Sequence, residues 1–428
     1  MNQISIIKKQ FLHALKLGTG ATYLLQRKHP EIDFSNEILS GALENFAYDP
    51  QSEGSRADYI FGLMKAAPRK AEIIACILET IVESEEDSWD LYHLLDIAVL
   101  IYQDGNAQAL MAIAERFGKS KRAGYDFCGD EQLMEVGGIE GVLLVGELIG
   151  ERLLLEQEDD PESWKLAAFQ EQHPTIDIYA ILKEKAKDNK FLQAYYDTII
   201  QNPPRSYKSG KITPPDYQTL KEKIEADRLR LIGKERASLL REEDVLKLAN
   251  DFRQAKNRKV KEGYLRFFAK RKFPGDHNIL LSILQNEDPE QGRLVELAAQ
   301  ALSFFKDQRI RELAKEKIRT VYNPASYLPL LVSNYEEGDS QLLLEVIDRS
   351  DDFDFIHSLI NGLLAIYKTN KTEEAQVPLE AMYDKMNCGL HRMDIIEMLY
   401  ENDILSERIH QEIAYDSMDT VRALYEKM

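Results

Sequence analysis

Cysteine is scarce in this chain of 428 residues: Cys76, Cys128 and Cys388 are odd in number, far apart and without paired spacing. That excludes a disulfide framework and fits reduced thiols in a cytoplasmic protein. Tryptophan is rarer still, at Trp89 and Trp164. No run alternates apolar and polar residues long enough to make a strand, which removes sheet architectures. Long apolar runs are missing as well. The most apolar window, 136–155, carries Glu140, Glu147, Glu151 and Arg152, so it is no membrane span. Residues 1–17 are interrupted by Lys8, Lys9 and Lys16 and read as an amphipathic helix rather than a signal peptide. Positive charge is the minority sign: 54 Lys and Arg against 73 Asp and Glu leave −19, which speaks against wholesale wrapping of nucleic acid or docking on anionic lipid.

What is present is helical periodicity. Hydrophobic residues make up 44% of the chain, and nearly every segment longer than about ten residues repeats them at i, i+3, i+4 and i+7. The expected fold is all-α. Two stretches echo each other at a fixed offset: Tyr102, Gly105, Asn106, Gln108, Leu110 and Ile113 align with Tyr335, Gly338, Asp339, Gln341, Leu343 and Val346, each reading as helix, glycine turn, helix. Ile139 to Leu144 and Ile360 to Leu364 follow the two copies with a shared glycine, Gly141 and Gly362. A further echo joins Ala47, Tyr48, Asp49, Arg56, Ala57 and Tyr59 to Ala414, Tyr415, Asp416, Arg422, Ala423 and Tyr425. Internal self-similarity of this kind belongs to repeat architectures, in which each hairpin buries its apolar face only against its neighbours.

Punctuation divides the chain. Gly18, Gly105, Gly118 and Gly338 stand where glycines end helices, while Asp160-Pro161 and Asn323-Pro324 fit a cap followed by proline at a helix start. Pro203, Pro204, Pro214 and Pro215, with Ser206, Ser209, Gly210 and Thr213, cannot continue a helix. The expected organisation is therefore an amino-terminal helical-repeat array over 1–202, a proline-rich connection over 203–215, and a second array over 216–428. Charge shifts at the same place. Residues 205–273 hold 20 Lys and Arg against 10 Asp and Glu, in a chain that is otherwise strongly acidic. The turn with Lys256, Arg258, Lys259 and Lys261 and the following run Lys270, Arg271 and Lys272 are the candidate partner-binding residues. Cations at repeat turns suit an acidic protein surface or a phosphate backbone. Two readings stand against that use: the acidic repeats of the same chain could be the counter-charge, and Tyr264, Phe267 and Phe268, at helical spacing, fit a core better than base stacking.

Asn286-Glu287-Asp288-Pro289 precedes Arg293, Leu294, Leu297, Ala298, Ala299 and Leu302, and Asp307 precedes Arg309, Ile310, Arg311, Leu313 and Ala314. Asp416, Asp419, Val421, Arg422, Ala423 and Leu424 repeat the pattern. This resembles the HEAT-like repeat superfamily, in which a turn aspartate precedes a helix with an arginine and an Ala/Leu packing face. The resemblance implies an α-solenoid of stacked hairpins with a concave partner-binding surface, and it carries no reaction with it.

Other constellations point to ordinary roles. Cys388 and His391 offer two ligand types, but a structural zinc site takes four and a catalytic one three, and no second pair lies near them in sequence; His93, His357 and His410 stand alone. The expectation is no metal and no cofactor. Gly137-Gly138-Ile139-Glu140-Gly141 lacks the strand and spacing of a phosphate loop, so Gly141, Gly146 and Gly150 read as close-packing positions. The acidic runs 85–87, 156–160 and 351–354 lack calcium-loop spacing and read as solvated turns and helix starts. Trp89, Asp90, Tyr92, His93 and Asp96 do not map onto the tryptophan and aspartate constellation of HEAT-like DNA glycosylases. The function expected is a non-enzymatic scaffold or adaptor holding a protein partner, with nucleic-acid binding as the alternative and base chemistry a remoter one.

Overall fold

The computed structural model describes residues 3–85, 88–119, 128–155, 163–203, 216–229, 232–285 and 292–428. Most of the proline-rich connection lies outside them, as do Asp160-Pro161, the 156–160 acidic run, Glu86, Asp87 and the turn Asn286 to Pro289. Among the described residues the fold is all-α, with no strand. Backbone packing divides the chain into two compact units. One comprises Met1–Lys208, Asn387–Leu390 and Arg408–Met428; the other comprises Ser209–Met386 and His391–Glu407.

In the first unit the helix Trp89–Gln103 is the hub. Ser88 starts it by accepting a hydrogen bond from the Leu91 amide. Leu91, Leu94, Leu95, Ile97, Ala98, Val99 and Ile101 are all buried, so the helix is apolar on more than one face and needs neighbours on several sides. Ala57–Lys65, Gln108–Gly118, Asp130–Leu155 and Ser35–Leu43 supply them. Gly105 ends the hub helix in the left-handed region at φ 99°, with Asn106 donating back to the Ile101 carbonyl across the turn. The segment Asp130–Leu155 is two helices rather than one. Gly138, at φ 54° and ψ −132°, folds the second back onto the first, and Gly141 then lies so close that a Cβ would stand 2.0 Å from the Leu133 carbonyl oxygen. Further along, the same segment packs on Lys190–Gln201, where a Cβ on Gly150 would meet the Phe191 carbonyl at 1.9 Å.

Residues 408–428 complete this unit. Ser417 donates its amide to the Gly18 carbonyl at 2.8 Å, Tyr415 stacks on Tyr23, and Arg27 donates to the Tyr415 hydroxyl at 2.7 Å. Gly20 has no room for a side chain because the Glu412 carbonyl occupies it. Arg56, 5% exposed, donates to the carbonyls of Lys16 and Asn387, and Glu53 accepts from the Gly389 amide.

In the second unit buried polar side chains tie successive elements together. Asp307 caps Gln308–Thr320 by accepting from the Arg309 amide, and also accepts from the His277 ring. Asn334 accepts from the Asp307 amide and donates to the carbonyls of Phe305 and Leu330. Arg311, half of an almost fully buried pair, donates twice to Asp339, which Lys315 also reaches. One element departs from its sequence signal. The copy of the echo that ends at Gly338 opens with a 3-10 helix, Ala325–Leu331, where its counterpart opens with the long hub helix. Pro329 inside the segment lacks an amide hydrogen, so an α-helical ladder there would miss a rung. Gly338 keeps the left-handed turn at φ 88°, yet it precedes the helix Asp339–Ile347 instead of ending one.

Candidate functional site

The basic segment is built on two helices, Glu242–Gln254 and Arg258–Phe268. Asn257 begins the second by accepting from the amides of Lys259 and Val260, so the turn between them is held by its own sequence. Tyr264, Phe267 and Phe268 are 1%, 0% and 0% exposed, and Phe268 meets Phe273 edge-on in the core. They are closed to base stacking. Phe267 and Phe268 each contribute about 2 to 3 kcal/mol of burial to holding the helix down.

The cations fall into two groups. Lys256, Arg258, Lys259 and Lys261 surround the start of Arg258–Phe268, while Lys270, Arg271 and Lys272 follow its end. Eleven residues of α-helix rise about 16 Å, so the two groups do not form one cluster. Arg271 turns inward: it donates to the carbonyls of Ala237 and Ser238 and to Glu242. Lys272 lies over the Phe305 ring at 4.9 Å from its centroid. Arg258 is held by Glu262 at 2.9 Å, and Lys259 approaches Asp227 only at 4.0 Å. Among the described residues, no hydrogen bond or ion pair engages the side chains of Lys256, Lys261 or Lys270, and Lys256 and Lys270 are exposed.

The acids of the segment are largely used by their neighbours. Asp251 accepts from Tyr217 and Lys221, which raises the pKa of both, and Lys247 and Arg241 hold the Asp244 carboxyl below its usual range. What remains is surplus positive charge facing water. Lys223, Arg228, Lys234 and Arg236, scattered through the same basic segment rather than clustered, add to it, and all are exposed.

The remaining sequence candidates separate in space or turn inward. Trp89 is 52% exposed, whereas His93, one turn on, is fully buried. Its Nε2 donates to the Gly41 carbonyl, which leaves Nδ1 to accept from the Ser55 hydroxyl, and burial lowers its pKa to about 4. A ring so enclosed is a core histidine, not a general acid or base facing a ligand. His357, which the sequence leaves isolated, meets His391, which it sets beside Cys388, with ring centroids 4.5 Å apart. A second site the sequence did not signal is Asp130 with Lys165 at 2.8 Å. Burial outweighs the lysine there and raises the Asp130 pKa to about 6. No helix among the described residues is long and apolar enough to cross a membrane. No family model matches the chain, and comparisons with curated proteins and with solved structures return no match either.

Proposed function

We propose that this protein is a non-enzymatic scaffold or adaptor, built of HEAT-like helical hairpins stacked as an α-solenoid, that holds a protein partner on its curved surface, with the central basic rim engaging an acidic surface of the partner. The reading rests on one observation: about the start of Arg258–Phe268, exposed Lys256 and half-exposed Lys261 meet no acidic side chain and exposed Lys259 reaches Asp227 only at 4.0 Å, while other nearby acids are already engaged. Desolvated only on binding, such cations steer association and set register more than they add affinity. Lys256, Lys259 and Lys261 are the contact residues of this reading, with Lys270 as an outlying one; Arg271 serves the fold. Nucleic-acid binding is the second reading, and the burial of Tyr264, Phe267 and Phe268 removes the aromatic platform that single strands use.

The test is the double charge reversal Lys256→Glu with Lys261→Glu in the full chain. A stoichiometric protein partner recovered with the wild type should be lost from the variant and should dissociate as salt rises. Retention of the same partner by the variant overturns the assignment. Tight retention of the wild type on DNA at low salt, with affinity falling steeply in log-linear fashion as salt is added, favours the second reading.

A further inference from the structure

His357, on the helix Phe353–Thr369, and His391, on the helix Gly389–Glu401, are both partly buried imidazoles of the second unit. Their ring planes cross at 74°, and each offers a ring nitrogen within 4.8 Å of the other. Tetrahedral zinc with nitrogens at about 2.0 Å holds two of them about 3.3 Å apart. A third donor stands close by in the chain: Cys388 precedes His391 by three residues. Imidazole nitrogens with a thiolate select zinc-class ions over magnesium or calcium, which demand oxygen. Both rings are partly buried and Cys388 is 3% exposed.

We propose that His357 and His391, with the Cys388 thiolate, bind one divalent transition-metal ion of the zinc class. The ion would tie the two helices that bear the imidazoles. Because the thiol must lose its proton on binding, affinity should rise with pH and about one proton should be released.

The full chain, stripped with a chelator and repurified, is titrated with zinc against a competing chromophoric chelator. Cobalt loading is followed by absorption. One equivalent should bind, with affinity falling about 100-fold or more in His357→Ala and in His391→Ala. The two variants lie on different helices, so one that keeps the wild-type circular dichroism suffices. A thiolate-to-cobalt charge-transfer band should appear in the wild type and vanish in Cys388→Ser. Failure of the wild type to bind stoichiometric zinc overturns the site, as does equal binding by folded histidine variants. A cobalt spectrum with no thiolate band overturns the three-donor set.

Discussion

His93 shows what burial does to a titratable residue. Its pKa falls from the ordinary 6.5 to about 4, chiefly because burial penalises the imidazolium, and Arg56 nearby adds to the shift. The unfolded chain therefore takes up a proton between those values and the folded one does not. Stability from this group is fully present above about pH 6.5 and is lost as pH falls toward 4, by about 3 kcal/mol in all. Urea unfolding at a series of pH values should show that slope, and His93→Gln should flatten it even though the variant starts from lower stability. The Arg311–Asp339 pair behaves differently. Burial pushes the Asp339 carboxyl up, but Arg311 and the Glu336 amide hold it below its usual value. Arg311→Ala would leave that buried carboxylate with Lys315 and the Glu336 amide but without its guanidinium. We expect a loss of about 3 kcal/mol in unfolding free energy, measured by denaturant midpoint at constant slope.

At the scale of elements, close approach decides more than propensity. Gly150 permits the second half of Asp130–Leu155 to pass the backbone of Lys190–Gln201, and the neighbour in question is a carbonyl that cannot swing aside. Gly150→Ala should cost about 1 to 3 kcal/mol by overpacking, despite alanine's better helix propensity. A thermal melt of the variant checks this, and an unchanged or raised midpoint would contradict it. The sequence made Gly141, Gly146 and Gly150 legible as packing positions because nothing else about them fitted a loop motif. It did not reveal the fold-back at Gly138, since apolar residues continue through both halves, nor the 3-10 helix at Ala325–Leu331, where a proline interrupts an otherwise apolar helical segment.

At the scale of the molecule, residues distant in the chain build the first unit together. Ile409, Ile413, Val421 and Leu424 are buried, and their segment closes on Gly18, Gly20, Tyr23 and Arg27. Exposing those four side chains would remove roughly 6 kcal/mol or more of apolar burial. A chain shortened by residues 408–428 should unfold at lower denaturant, and hydrogen exchange should locate the lost protection in residues 14–27. Protection there equal to the full chain's would show the closure to be dispensable. Here the sequence offered a partial clue. Ala47-Tyr48-Asp49 and Ala414-Tyr415-Asp416 echo each other, and both aspartates accept from an amide two residues on, at Gln51 and Met418. The echo told of like local structure, not of shared packing.

Local chemistry was enough to establish that this protein is helical, that Asp307 begins a helix, and that Tyr264, Phe267 and Phe268 are core, because period and capping depend on residues within a turn or two. Only the tertiary structure decided which cations are surplus, that the lysine groups stand at opposite ends of one helix, and that His357 meets His391. Those outcomes depend on partners tens or hundreds of residues away, and a charge or an imidazole looks the same in sequence whether its partner is water, a carbonyl or another ring.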